Sequence, residues 1–457
     1  MADNHHEIKS FDEIPSELWD VVFQHTIPPT YLIHPVGNQL IHSRSTASLV
    51  LDQKLALTLT CKAWHPIGMR LLYEDVFIRH PTQAFRLLKT LMRSPRIGAL
   101  IKHLHFCCFV ADQWYEQFST AAEKIITMCP HIFGIELGTE SFRSKSNSPF
   151  QLSTLPLSVT HLQVALPSIG FPIDTKWLIQ PNAPFCQTLV HLSIATRCQN
   201  TPDYDQCVGA TCLPYLEYLA IFVTGAVRGP SPSVCIAEAW TLPSLRHFTV
   251  QYDNHDPFRS ALVRTVRIHG KLLEYLHLVI CPPYITSGTQ ELVNLCPRLE
   301  HLVISPHLIL PTTHKALKWI DVWDSAVDDL YGWKEFSPEY RRANGLPSLR
   351  GIRSISASLN PIIDLPLKLP PSLSPAEDKF EINFLNFHLR CLDGDVDFVE
   401  PEWPDEDEDE DSTYSSFDSD CEYSDFISDG DSDYEVASDP DTPLETWDAS
   451  ENPDFQI

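Results

Sequence analysis

Eight times between residues 101 and 304 the chain repeats one short pattern, apolar-x-x-apolar-x-apolar. The copies are Ile101/Leu104/Phe106, Ile132/Ile135/Leu137, Val159/Leu162/Val164, Leu189/Leu192/Ile194, Leu216/Leu219/Ile221, Leu245/Phe248/Val250, Leu273/Leu276/Leu278 and Leu299/Leu302/Ile304. Their first positions lie 31, 27, 30, 27, 29, 28 and 26 residues apart. In an extended strand, alternate side chains face opposite ways, so one such strand buries only one face. A unit of this size cannot cover that face alone and is stable only when stacked on copies of itself. The period therefore predicts a solenoid and excludes a conventional closed core for most of the chain.

Helix-length stretches separate the strands, for example Ser119–Cys129 and Thr289–Cys296, each halted by a following proline (Pro130, Pro297). The Leu-x-x-Leu-x-Leu core with a period near 28 resembles leucine-rich repeats. The resemblance implies an α/β solenoid over residues 82–390. After Leu299 the order loosens: Leu317/Ile320/Val322 follows 18 residues on, and Leu349-Arg350-Gly351-Ile352 keeps half the pattern.

The residue just before each central apolar position points away from the core. It is His103, His161, His191, Tyr218, His247, Tyr275, His301 or Trp319 in eight of nine repeats, with Gly134 the exception. His105, Phe222, His277 and Trp323 add rings at neighbouring outward positions. A column of rings offers the anchors that protein interfaces favour, and the same rings can equally stack to support the sheet. As a target-binding face the candidates are His191, Tyr218, His247, Tyr275, His301 and Trp319.

The first 81 residues follow another rule. After a flexible start (residues 1–10), Ile14, Leu18, Val22 and Phe23 fall at helical spacing, with Pro15 and Glu17 suited to a first helical turn. Residues 27–51 break the pattern as an insert. A second helical stretch from Leu51 places Leu55, Leu59, Trp64, Leu71 and Leu72 on apolar positions, and Pro66 divides it into two short helices. Ile14-Pro15-x-Glu17-Leu18-x3-Val22-Phe23, then Leu59-x-Cys61-Lys62-x-Trp64 and Leu71-Leu72-Tyr73-Glu74-Asp75-Val76, resemble the F-box. The resemblance covers about 65 residues, and the Phe23–Leu57 connection is longer than the family's compact hairpin. It implies that residues 11–81 dock on the Skp-type adaptor of a cullin ubiquitin ligase. The implied contacts are Ile14, Pro15, Leu18, Val22, Phe23, Leu59, Cys61 and Trp64.

Charge is divided unevenly. From Cys391 onward there are 26 acids and no lysine or arginine, which leaves 34 of the 60 acids to face all 33 bases. A nearly neutral body argues against a broad nucleic-acid footprint. Residues 391–457, with seven consecutive acids at Asp405–Asp411, read as a disordered acidic tail. Ser419, Ser428, Ser432 and Ser438 each have an acid three residues on, which suits an acidophilic kinase.

The 13 cysteines show no CxxC, and no stretch approaches the roughly 18 apolar residues of a membrane helix. With no basic, apolar leader at the start, the expected site is cytoplasm or nucleus. No P-loop, G-x-S-x-G, G-x-G-x-x-G or H-E-x-x-H motif occurs. His103-x-His105-x-Cys107 has three soft ligand types and no evident fourth, so neither metal nor cofactor is expected. The expectation is a non-catalytic substrate-recognition subunit of a Skp–cullin–F-box ligase, whose repeats hold a target protein of unknown identity. The alternative is an interaction scaffold outside any ligase, its acidic tail meeting basic partners.

Overall fold

The computed structural model describes residues 14–27, 46–138, 155–165, 184–197, 211–224, 237–238, 240–252, 256–280, 289–305, 308–324, 338–356, 365–368 and 389–391. The chain divides into two units, Met1–Val396 and Asp397–Ile457. The second, and with it the expected disorder and phosphorylation of the acidic tail, lies outside the described residues.

Among the described residues the first elements are three helices: α1 (Ser16–Thr26), α2 (Thr46–Thr60) and α3 (His65–Glu74). Pro15 stands immediately before α1 and Glu17 lies in its first turn, favourable at the positive end of the helix dipole. Pro66 sits in the first turn of α3, so the expected division into two short helices is present. Helix α2 begins at Thr46, inside the segment read as insert.

Eleven parallel strands follow in one sheet, in strict chain order: β1 (Asp75–Ile78), β2 (His103–Phe106), β3 (Gly134–Leu137), β4 (His161–Ala165), β5 (His191–Arg197), β6 (Tyr218–Thr224), β7 (His247–Tyr252), β8 (Tyr275–Ile280), β9 (His301–Ile304), β10 (Trp319–Asp324) and β11 (Gly351–Ser356). A last strand, β12 (Leu389–Cys391), pairs antiparallel with β11. Between strands run the helices α4 (Pro81–Arg93), α5 (Tyr115–Thr127), α6 (Asp256–His269), α7 (Thr289–Asn294) and α8 (Pro338–Ala343), with short helical turns elsewhere. This is a parallel β/α solenoid.

Two strands depart from the sequence reading. Strand β1 falls at Asp75–Ile78, so the sheet starts within the 11–81 module and before residue 82. Its signal is present: Tyr73/Val76/Ile78 repeats the pattern 28 residues before Ile101. At the other end β11 is a full six-residue strand although Ser354 replaces the third apolar position.

From β3 to β11 each strand starts on a shared acceptor. The Lys102 carbonyl takes both the Phe133 and the Gly134 N–H, at 2.9 and 3.1 Å. The same double acceptance recurs at Phe133, Thr160, Val190, Glu217, Arg246, Glu274, Glu300 and Lys318. It fixes the phase of each repeat against the one before, and a one-residue slip would turn every leucine outward. The inward residues, from Leu104 and Phe106 to Ile320 and Ile352, are buried in one continuous apolar core. Cys129, Cys186 and Cys296 lie in that core, where burial pushes their thiols to about 12, 11 and 12. They serve as small apolar fillers.

Two histidines tie repeats together from the helical side. His269 reaches the Ala237 carbonyl at 2.9 Å, and His314 reaches the Cys296 carbonyl at 3.0 Å. The Leu317 N–H donates to His314 Nδ1, so the ring is neutral with its proton on Nε2. Burial holds both imidazoles below their ordinary value of 6.5, against the support of those carbonyls.

A depressed histidine pKa means that the unfolded chain binds protons the folded one refuses. The melting temperature should therefore fall as pH drops below about 6.5. In a chain carrying His269→Gln with His314→Gln, which keeps hydrogen-bonding groups but cannot titrate, thermal melts between pH 7.5 and 5 should show a flatter slope. An unchanged slope would assign the acid sensitivity elsewhere.

Candidate functional site

Parallel pairing puts the outward residues into columns. Asp75, His103, Gly134, His161, His191, Tyr218, His247, Tyr275, His301, Trp319 and Gly351 stand side by side along one row. The rings touch in succession, with centroids 5.4 Å apart for His161–His191, 4.0 Å for His191–Tyr218, 6.3 Å for Tyr218–His247, 5.8 Å for His247–Tyr275 and 5.0 Å for Tyr275–His301.

The two glycines explain the column's gaps. A Cβ on Gly134 would lie 2.2 Å from the His103 ring, and one on Gly351 would lie 2.4 Å from the Trp319 ring. Each ring leans across the next strand and needs its neighbour to have no side chain. Phe133 then bridges the gap, 4.3 Å from His103 and 5.7 Å from His161.

This packing divides the target-binding candidates. His191, His247 and Trp319 are half-buried, whereas Tyr218, Tyr275 (2 % exposed) and His301 are buried. The last three cannot serve as contact anchors as the chain is folded, because the close stacking that a sheet imposes on large side chains covers them. The Tyr218 hydroxyl lies 3.3 Å from Thr249 Oγ1, itself fully buried. Burial also pushes the His247 imidazole down, against the nearby Glu274 carboxylate. From β8 to β11 the next outward row is sealed too, at His277, Val303, Asp321 and Arg353.

Two polar links stand in that sealed part. The Trp323 indole N–H donates to His277 Nε2 at 2.9 Å. Arg353 grips Asp321 through Nε at 2.9 Å and Nη2 at 2.6 Å, and His301 Nε2 lies 2.9 Å from the same carboxylate. Burial alone would raise the Asp321 pKa, but His301 and Arg353 outweigh it and hold the carboxyl at about 2. The inner face is more open toward its first strands, where His161 and Gln163 are exposed and Glu136 accepts from Gln163 at 3.0 Å and lies 2.7 Å from His105 Nδ1. His103 and His105 face Asp75 and Glu136, and among the described residues no group of three or more histidines, cysteines or acids is arranged to hold a metal.

The helices present a different surface. In α2 the i, i+4 row Val50, Lys54 and Thr58 faces inward, and Leu51, Leu55 and Leu59 face solvent. Lys54 is only 7 % exposed while Leu59 is 79 % exposed. In α1, Leu18 (56 % exposed), Val21 and Val22 lie outside. Pro15 and Cys61 are exposed and Ile14 is half-buried. Phe23 (3 % exposed) and Trp64 face inward: with Trp19 they form a ring cluster at 4.9, 5.1 and 5.7 Å. Both were expected at the adaptor surface and instead hold the helices together. Val21, Leu51 and Leu55 join the exposed face, which the motif alone did not indicate.

Helix α3 closes on α2 at Gly68, where a Cβ would meet the Thr58 backbone at 2.7 Å. Burial pushes the Lys54 ammonium pKa down, partly countered by Asp75 and Glu74 at the start of the sheet.

The described body has a leucine-rich-repeat-like fold. No family model matches the chain, and no curated protein does. Among solved structures, the leucine-rich repeat-containing protein LegL7 from Legionella pneumophila is similar at 9 % identity and a TM-score of 0.41, over 66 % of this chain and 99 % of that one. Among the described residues no helix is long and apolar enough to cross a membrane.

The ring column makes a testable distinction. Gly134→Val, which forces the His103 ring aside, should lose about 1–3 kcal/mol of stability. Tyr275→Ala should lose about 3 kcal/mol or more, because it empties a buried aromatic site, whereas His161→Ala should change stability by less than about 1 kcal/mol. Denaturant melts of the three variants check this; equal losses for His161 and Tyr275 would contradict the burial pattern.

Proposed function

We propose that the chain is a substrate-recognition subunit of a Skp–cullin–F-box ubiquitin ligase, in which α1–α3 dock on the adaptor and the solenoid holds a target protein. The observation that carries this reading is the inverted polarity of α2. A helix that buries a lysine and a threonine while exposing three leucines is poorly suited to stand free in water. Leu18, Val21 and Val22 of α1 add three more exposed aliphatic side chains. Six such residues on two neighbouring helices are what a helical docking partner would cover; the Pro15-x-Glu17-Leu18 motif opens α1, and Cys61-Lys62-x-Trp64 forms the turn after α2. Cys61, Pro15 and Ile14 border them, while Phe23 and Trp64 set the spacing from inside.

Such a subunit makes and breaks no bond. Its contribution is proximity: a target bound on the solenoid is held near the transfer machinery, which replaces a chance encounter by a fixed geometry.

Burying one aliphatic side chain is worth roughly 1.5–3 kcal/mol, so losing two contacts costs more than about a hundredfold in affinity. Leu18→Asp with Leu59→Asp should abolish binding to a purified Skp-type adaptor, with the melting temperature unchanged because both sites are exposed. Calorimetric titration of the full chain and this variant is the check, and undiminished binding by the folded variant removes the proposal. Phe23→Asp would not be informative, since it strikes the module's interior.

A further inference from the structure

The edge where the strands begin carries its own charge pattern. The residues just before the ring row pair across repeats: Lys102 with Glu74, Arg246 with Glu274 at 3.2 Å, and Lys318 with Glu300 at 2.7 Å. From β8 onward, cations are added without partners. Lys271, Arg298, Lys315 and Arg350 are all exposed and none makes an ion pair. Backbone hydrogen bonds hold the last of these in register. The Arg350 N–H donates to the Lys318 carbonyl at 2.7 Å, the Lys318 N–H to the Glu300 carbonyl at 2.8 Å, and Ser348 Oγ to the Lys315 carbonyl at 2.6 Å. Arg342 reaches the same edge, where its Nη1 donates to the Leu349 carbonyl at 3.1 Å. Before β3 to β5 the residues four, three and one ahead of the ring row (Pro130, His131, Phe133; Leu157, Ser158, Thr160; Gln187, Thr188, Val190) include no lysine or arginine. The basic strip is thus confined to the last repeats of a body whose charges otherwise nearly cancel.

We infer that this strip, Lys271, Arg298, Lys315 and Arg350, is a docking surface for an extended stretch of aspartate and glutamate in a target protein. The inference rests on the reading of the solenoid as the target-binding part. Strands stand about 4.8 Å apart, so β8 to β11 span about 14 Å, which an extended peptide covers in about five residues at roughly 3.3 Å each. A strip this short suits a peptide. Nucleic acid binding depends on many phosphate contacts at once, and Glu274 and Glu300 interrupt the row. Opposite charge also speeds association, as expected of a surface that must find partners by diffusion.

The probe is a fluorescein-labelled peptide of five alternating aspartates and glutamates, followed by fluorescence anisotropy. It is titrated onto the full chain with residues 405–411 replaced by a neutral Gly/Ser run, so that the probe is the only long acidic run present. Binding should occur, weaken strongly between 50 and 500 mM NaCl, and fall about tenfold or more in Arg298→Glu/Lys315→Glu/Arg350→Glu. The triple variant should keep its melting temperature and its adaptor binding. Absence of peptide binding, or equal binding by the triple variant, overturns the inference. So does displacement of the peptide by a thymidine oligonucleotide of equal charge at a lower concentration than unlabelled peptide, which would make the strip a nucleic-acid surface. Adaptor binding measured on the same preparations fails only if the ligase reading is wrong, so the two can be told apart.

Discussion

One backbone carbonyl per repeat sets the geometry on which the remainder depends. Because each of these oxygens receives two N–H groups from the following repeat, successive strands cannot slide past one another. Register fixes the columns, and the columns decide which side chains meet. The ring row, the glycines beneath His103 and Trp319, and the basic strip are each consequences of that phase. None of the three exists in any single repeat.

Stacking and recognition compete for the same outward positions. A tyrosine broad enough to anchor a partner is also broad enough to cover its neighbour across a gap of about 4.8 Å. Where the row alternates tyrosine and histidine, from Tyr218 to His301, covering has won, and the buried Thr249 and His277 lie in the next row. The gain is about 0.5–1.5 kcal/mol per aromatic pair beyond the area buried. The consequence is that the middle of the inner face is a structural surface, whereas at its first strands outward side chains such as His161 and Gln163 are exposed.

The solenoid was legible because its signal is periodic: eight copies of one pattern specify strand, direction and stacking together. The sites were less legible because they depend on facing. Phe23 and Leu18 lie on one helix within five residues, both large and apolar, and only the ring cluster with Trp19 and Trp64 turns one inward. In α2 the sequence marked Leu59 alone as a contact, yet Leu51 and Leu55 are exposed beside it while the parallel row with Lys54 and Thr58 is the buried one. Strand β1 was hidden for another reason. Tyr73/Val76/Ile78 fits the repeat, but the same residues complete a helical motif, and a local pattern that fits two elements cannot choose between them. Gly134 showed as a gap in the ring column, and only the lean of the preceding ring gives it a cause.

The placement of the two exposed surfaces follows from strand order. The leucine face belongs to the helices joined to β1, and the basic strip lies along β8 to β11. Seven strand spacings separate β1 from β8, about 34 Å along the sheet. A sheet whose strands from β3 to β11 are pinned by doubly accepting carbonyls bends little over that length, so the two surfaces proposed above would stay at a nearly constant separation. The junction itself is short: α3 ends at Glu74 and β1 begins at Asp75, and the Lys102 N–H donates to the Glu74 carbonyl at 2.9 Å. A short junction of this kind is what would join the two proposed surfaces into one positioning device.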